Sequence, residues 1–246
     1  MTGGHVLRFN NPFADLSRFE LLLWLGSMAI IFGAFLLAGA REPLNLVSSL
    51  LGVTSLIFIS KGYVFGEILT VFFSILYGIV SYFFHYYGEM VTFIGMTGPV
   101  ALFSIFSWLR HPYADSKEVE VSHLHKKQVI VLSILAVLVT VAFYFILGAL
   151  GNANLLVSTI SVTASFVAAS LAFLRSPYYA AVYAVNDLIL IVLWGLATWE
   201  SIAYLPMMAC FVTFFFNDLY GFYNWRRMQQ RQINAVAAGR VLTLPD

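Results

Sequence analysis

Long apolar runs separated by short polar dividers are the dominant pattern along this chain. A helix that crosses a bilayer needs about 20 consecutive apolar residues, with a range of roughly 17–25. That criterion predicts eight helices, over Phe19–Ala40, Pro43–Ser60, Tyr63–Tyr86, Glu89–Leu109, Gln128–Leu150, Asn154–Leu174, Pro177–Trp199 and Ala203–Trp225. The dividers are brief: Arg41-Glu42, Lys61-Gly62, Gly88, Gly151-Asn152, Arg175-Ser176 and Glu200-Ser201. Pro43 and Pro177 stand at first-turn positions, where a missing N–H costs nothing. The first run ends in Ala38-Gly39-Ala40, which imitates a signal-peptide cleavage site. Signal cores span only about 7–15 apolar residues, so this longer run is expected to be a retained helix. A single connection is long and polar, from Arg110 to Lys127.

Composition agrees. Hydrophobic residues make up 61% of the 246 and charged residues only 10%, whereas a soluble domain carries about 25% charged residues. A soluble enzyme, a nucleic-acid binder and a disordered chain are excluded, and an integral membrane protein remains. Cys210 is the sole cysteine, so no internal disulfide can form. The formal charge of +1 matters only through its placement. Twelve of the 13 Lys and Arg fall on the side of the two termini: Arg8, Arg18, Lys61, four in Arg110–Lys127, Arg175, Arg226, Arg227, Arg231 and Arg240. Arg41 alone falls opposite. By the positive-inside rule both termini are expected to be cytoplasmic, with residues 226–246 forming a basic tail able to touch anionic lipid.

An internal repeat is expected. Asn45-Leu46 through Val53-Thr54 overlies Asn154-Leu155 through Val162-Thr163 at an offset of 109. Later the offset becomes 117, where Tyr77-Gly78 overlies Trp194-Gly195 and Ser107-Trp108-Leu109-Arg110 overlies Asn224-Trp225-Arg226-Arg227. The expected organisation is one membrane domain: an extra helix at 19–40, a three-helix repeat at 43–109, a linker helix at 128–150 and a second repeat at 154–225. Parallel repeats of this kind are a transporter architecture, with the substrate between the halves near mid-membrane.

Polar residues inside spans are costly and are candidates for function. On the seventh span Tyr183, Asp187, Leu190 and Trp194 share a face, flanked by Asn186; on the eighth, Thr213, Asn217, Tyr220 and Asn224 do the same. Asp187 and Asn217 both fall near mid-bilayer by helix rise. On the third span Glu67, Thr70, Ser74, Tyr77 and Ser81 make a further stripe. Such a lining suits a flat ring that stacks and a polyol that hydrogen-bonds, and aromatic faces attract a cation. The plainer reading is that Asn, Ser and Thr only bond neighbouring helices, and that Trp24, Trp108 and Trp225 are interfacial anchors. Asp218 is either a second site residue or a structural partner. His123-x-His125 with Asp115, Glu118 and Glu120 does not match a zinc spacing, so a solvated loop is expected and no cofactor. Neither a phosphate loop nor an HExxH motif is present, so no enzymatic chemistry is expected. Pro99, beside Gly98 in mid-span, is a candidate break.

The segments NDLILIVLW (Asn186 to Trp194) and NDLYGFYNW (Asn217 to Trp225) resemble those of the PnuC family of vitamin transporters. Asn186, Asp187, Trp194, Asn217, Tyr220 and Trp225 occupy the matching positions; in the first repeat Val100, Phe103 and Ser104 stand where Asn217, Tyr220 and Gly221 stand in the second, and only Trp108 survives. The resemblance implies a doubled SWEET-like fold, a homotrimer, and facilitated diffusion of nicotinamide riboside, trapped inside by phosphorylation for NAD synthesis. The expected substrate site joins Asn186, Asp187, Trp194, Asn217 and Tyr220, which the resemblance carries over, with Tyr183, Tyr77, Thr70 and Glu67 of the polar stripes. Thiamine or riboflavin transport, a SWEET-like sugar carrier and a non-transporting scaffold are the alternatives.

Overall fold

The computed structural model describes residues 11–39, 43–83, 86–114, 116–152 and 154–239. Arg8, Arg41, Asp115 and Arg240, which entered the charge and loop readings, lie outside the described residues. Eight helices long and apolar enough to cross a membrane are present: α1 (Arg18–Leu37), α2 (Pro43–Ser60), α3 (Val64–Phe83), α4 (Tyr87–Arg110), α5 (Lys126–Ala149), α6 (Leu155–Phe173), α7 (Tyr178–Glu200) and α8 (Leu205–Ala237). Among the described residues the only β pairing is two isolated bridges, one within the α4–α5 connection (Pro112 with Val119) and one from it to the α2–α3 turn (Glu118 with Tyr63). The expected all-α membrane architecture is therefore the one observed.

Local chemistry sets the helix ends. Ser17 and Glu20 form a reciprocal capping box on α1: Glu20 N donates to Ser17 Oγ at 3.2 Å and Ser17 N donates to the Glu20 carboxylate at 2.6 Å. The turn between α2 and α3 uses Gly62 at φ +68°, a left-handed backbone that suits a residue without Cβ. Gly66 then lets α3 lie directly on α2, because a Cβ there would run into the Ile59 amide nitrogen.

Two boundaries differ from expectation. Gly88, a predicted divider, lies inside α4, where its N–H is satisfied by Asn152 Oδ1 at 3.1 Å. The last helix does not end at Trp225 but continues to Ala237. The residues predicted as a free tail are held by packing, since Met228 and Gln232 are buried. Gln232 Nε2 donates to Val119 O at 3.1 Å, and its Oε1 accepts from Val121 N at 2.9 Å. The α4–α5 connection is likewise no free loop. It folds back through the Pro112–Val119 bridge, donates Val119 N to Gly62 O at 2.9 Å and pairs Glu118 with Arg231. Glu120 is buried beside Arg175; burial pushes its carboxyl up and the guanidinium pulls it back down. His123 and His125 remain exposed, and no metal-binding group of residues exists among those described.

Pro99 does not break α4. Instead Phe93–Thr97 forms a π-helical turn, with Gly98 N donating to Phe93 O. A proline in a helix leaves an upstream carbonyl without its usual donor, and a π turn just before it absorbs the mismatch.

The packing is simple to state. In α2–α3–α4 the middle helix packs on both neighbours, and in α6–α7–α8 it does so again; α2 packs against α8, and α4 against α6. Helix α1 lies on α2 and α8, and α5 contacts α6. Helix α5 buries only Leu147, so its apolar surface faces outward almost all round, as suits lipid.

Trp108 and Trp225 are not interfacial anchors. Both are fully buried, with ring centroids 5.4 Å apart. Trp108, ending α4, donates to Ala172 O of α6 at 2.9 Å; Trp225, on α8, donates to Ile59 O of α2 at 2.8 Å. Each ring thus crosses from one triplet to the other.

Candidate functional site

All six triplet helices enclose one cavity of about 680 Å³ of unoccupied space, its mouth included. Helix α3 supplies Glu67 and Thr70, α7 supplies Tyr179, Tyr183, Asn186 and Asp187, and α8 supplies Asp218. Ser55 of α2 and Thr97 and Ser104 of α4 add hydroxyls, and Ala169 and Ala172 of α6 leave room. Three carboxylic acids line the cavity, and among the described residues no Lys, Arg or His does.

Several of these side chains are held in place. Asn186 Oδ1 accepts from Ser161 Oγ at 2.9 Å, and Thr70 Oγ1 donates to Gly66 O at 3.0 Å. The Asp187 carboxyl of α7 and the Asp218 carboxyl of α8 are both buried and both line the cavity. Asp187 Oδ2 and Thr97 Oγ1 are buried with no hydrogen-bond partner. A buried polar atom left unpaired costs about 1–3 kcal/mol, so these two atoms are ready to meet a polar ligand.

Aromatic rings bound the cavity at both ends. Away from the basic end, Phe73 meets Phe93 at 5.6 Å and Phe214 at 5.5 Å, and Phe211 meets Phe214 at 5.5 Å. Tyr77 stacks on the outer side of Phe73 at 5.4 Å. At the basic end Tyr179 packs edge-on against Trp225 at 5.0 Å, above the Trp108–Trp225 pair. The low dielectric between such walls strengthens every electrostatic contact made inside.

Of the nine residues expected to form a site, five line this cavity: Glu67, Thr70, Tyr183, Asn186 and Asp187. The other four do not. Tyr77 and Trp194 lie in a buried core beyond the phenylalanine cluster, where Trp194 packs on Tyr86 at 4.5 Å and Tyr204 at 5.9 Å. Asn217 Nδ2 donates to Ser27 Oγ of α1 at 3.0 Å and to Thr213 O at 2.8 Å. Tyr220 donates to Glu20 at 2.8 Å, and Lys61 Nζ also reaches Glu20, at 3.1 Å. The stripe Asn217, Tyr220, Asn224 therefore joins helices, Asn224 donating to Ser60 O at 2.9 Å.

The cavity face of α8 is one position away: Phe211, Phe214 and Asp218, spaced i, i+3, i+7. Asp218 had an open role in the sequence and Tyr179 none, although Tyr179 extends the Tyr183–Asp187 stripe by one turn. The phenylalanines gave no sign, because an apolar cavity wall reads like any membrane-buried face.

Comparisons with known proteins place the chain. The curated nicotinamide riboside transporter PnuC of Neisseria mucosa is 27% identical over 227 residues, covering 89% of this chain and 85% of that protein. A solved structure described as the crystal structure of the vitamin B3 transporter PnuC aligns with a TM-score of 0.78 at 26% identity, over 89% of this chain and 95% of that one. The profile of the nicotinamide mononucleotide transporter family matches residues 42–227, from the start of α2 to just past Trp225. Over that span, which takes in every helix around the cavity, the chain belongs to the nicotinamide mononucleotide transporter family of membrane transporters.

Proposed function

We propose that this protein carries nicotinamide riboside across the membrane, binding it in the cavity between the two helix triplets. The observation that carries the reading is the lining itself: three carboxyls, several hydroxyls, aromatic walls and, among the described residues, no basic side chain. The pyridinium of the riboside is a permanent cation on a flat ring, and its ribose offers hydroxyls. Tyr179, Tyr183 and the phenylalanines are placed to face the ring, and Asn186, Thr70 and Thr97 to meet the sugar or the carboxamide. Cation–aromatic contact contributes about 0.5–2 kcal/mol. Tyr77, Trp194, Asn217 and Tyr220 act at one remove in this reading, holding the walls.

In the mechanism that follows, α2–α3–α4 and α6–α7–α8 are parallel repeats that rock about the cavity to open it to one side at a time. The reciprocal packing of α2 on α8 and α4 on α6, and the crossed Trp108 and Trp225 bonds, support that symmetry. The π turn at Phe93–Thr97 lies at the cavity wall, to which it contributes Phe93 and Thr97. The termini are assigned to the cytoplasm of an inner-membrane protein, assembly is as a homotrimer, and phosphorylation inside removes the product.

The reading is tested by the thermal stability of the detergent-purified protein against nicotinamide riboside, nicotinamide, its mononucleotide, thiamine, riboflavin and glucose. A ligand at 100 times its dissociation constant adds about 2.7 kcal/mol, which is seen as a clear rise in melting temperature. The riboside is expected to give that rise and glucose none. A response to glucose favours a sugar carrier, a response to thiamine or riboflavin a carrier of that vitamin, and no response at all a scaffold.

A further inference from the structure

We propose that Thr97 reads the sugar of the substrate: its hydroxyl, set free by the π turn of α4, hydrogen-bonds a ribose hydroxyl. This rests on the proposed riboside reading of the cavity and adds which way round the substrate lies in it.

A threonine inside a helix ordinarily donates its hydroxyl to the carbonyl one turn back. Every other threonine among the described residues does so, to a carbonyl three or four residues earlier; Thr70 donates to Gly66 O at 3.0 Å and Thr92 to Gly88 O at 2.8 Å. Thr97 departs from that habit. It is buried, at 4% exposure, and its Oγ1 has no partner. The cause is local. The carbonyl one turn back belongs to Phe93, and the π turn directs it to Gly98 N, one residue beyond its α-helical partner. Gly98 permits this close approach, because a Cβ there would lie 3.2 Å from Phe93 O. The turn thus costs Thr97 its usual acceptor, and Thr97 lines the cavity together with Phe93.

The cavity divides its chemistry between the triplets. Among the described residues its Ser and Thr hydroxyls, those of Ser55, Thr70, Thr97 and Ser104, all come from α2, α3 and α4. Its tyrosines, Tyr179 and Tyr183, and its aspartates, Asp187 and Asp218, all come from α7 and α8. A cationic ring therefore finds aromatic faces and counter-charge on the second triplet, and a sugar finds hydroxyls on the first. Ser55 and Thr70 already give their protons to Gly52 O, at 2.7 Å, and to Gly66 O. Thr97 keeps a donor and two lone pairs, so it can both give to and accept from a ribose hydroxyl. Pairing it also relieves the cost of an unmet buried hydroxyl, which the empty cavity bears.

Isothermal titration of the full-length protein with nicotinamide riboside and with 1-methylnicotinamide separates sugar from ring. The second ligand keeps the cationic ring and the carboxamide and has no ribose. Thr97→Val keeps the shape of the side chain and removes its hydroxyl. It is expected to weaken the riboside about fivefold or more and to leave 1-methylnicotinamide within about twofold, read by competition with the riboside where direct heats are small. Thr97→Ser restores a hydroxyl and should hold the riboside within about threefold of wild type. The melting temperature of unliganded Thr97→Val should equal or exceed that of wild type, whereas loss of a merely structural threonine would lower it. Should Thr97→Val not fold, Thr97→Ala serves for the same comparison of ligands. Unchanged riboside affinity in the folded variant overturns the proposal, as does equal weakening of both ligands, which would put the hydroxyl on the ring or the carboxamide. No riboside binding by folded wild-type protein instead defeats the functional reading on which the proposal rests.

Discussion

Trp225→Ala is expected to destabilise the protein by about 3–5 kcal/mol, the range for removing a large aromatic side chain from a packed core. Trp225 is fully buried, contacts the rings of Trp108 and Tyr179, and donates to the Ile59 carbonyl. Its loss opens a void and leaves that carbonyl without its indole donor. Trp225→Phe separates the two parts: it keeps most of the ring volume and loses only the donor, and Ile59 O still accepts from Gly62 N at 2.8 Å, so about 0.5–1.5 kcal/mol is expected. The same pair of substitutions at Trp108, whose bond runs to Ala172, should give matching results, because the two rings make equivalent contacts across the triplets. Urea or thermal unfolding in detergent measures this. A loss under 1 kcal/mol for Trp225→Ala would mean that the pair is a loose contact and not the junction of the two halves.

Asp187→Ala is expected to weaken nicotinamide riboside binding by at least thirtyfold. Truncating one partner of a buried charge interaction typically costs 2–5 kcal/mol, and each 1.4 kcal/mol is a factor of ten in affinity. The Asp187 carboxyl lines the cavity with one oxygen unpartnered, so in the proposed complex it meets the cation directly. The variant's own stability should change little or rise, since an incompletely paired buried carboxyl is removed. Affinity within threefold of wild type, measured by titration on folded protein, would place the cation elsewhere.

The division between what the sequence displayed and what it hid has physical reasons. Spans were legible because lipid demands about 20 apolar residues at a stretch, and the eight expected helices are the eight observed. The α7 side of the cavity was legible too: Tyr183, Asn186 and Asp187 are costly in a membrane and share one face. On α8 the same reasoning failed. Asn217 and Tyr220 are equally polar and as regularly spaced, yet they turn toward Ser27 and Glu20 of α1. Periodicity reveals that a helix has a polar face, not which neighbour meets it. Helix α1 lies outside the two triplets, and its buried Glu20 and Ser27 supply partners that the α8 pattern could not announce. The extension of α8 past Trp225 was hidden for a similar reason. Met228, Gln229 and Gln232 read as polar tail, and their burial depends on residues remote in sequence, such as Val119 and Val121, which bond Gln232.

The central claim is that this cavity moves nicotinamide riboside across a membrane. It is tested most directly by uptake of radiolabelled nicotinamide riboside into proteoliposomes holding the purified full-length protein, without ATP. The account predicts saturable uptake above protein-free vesicles, competed by unlabelled riboside but not by glucose, and lost in Asp187→Ala. Uptake no faster than in protein-free vesicles, with the reconstituted protein shown to be folded, would contradict it.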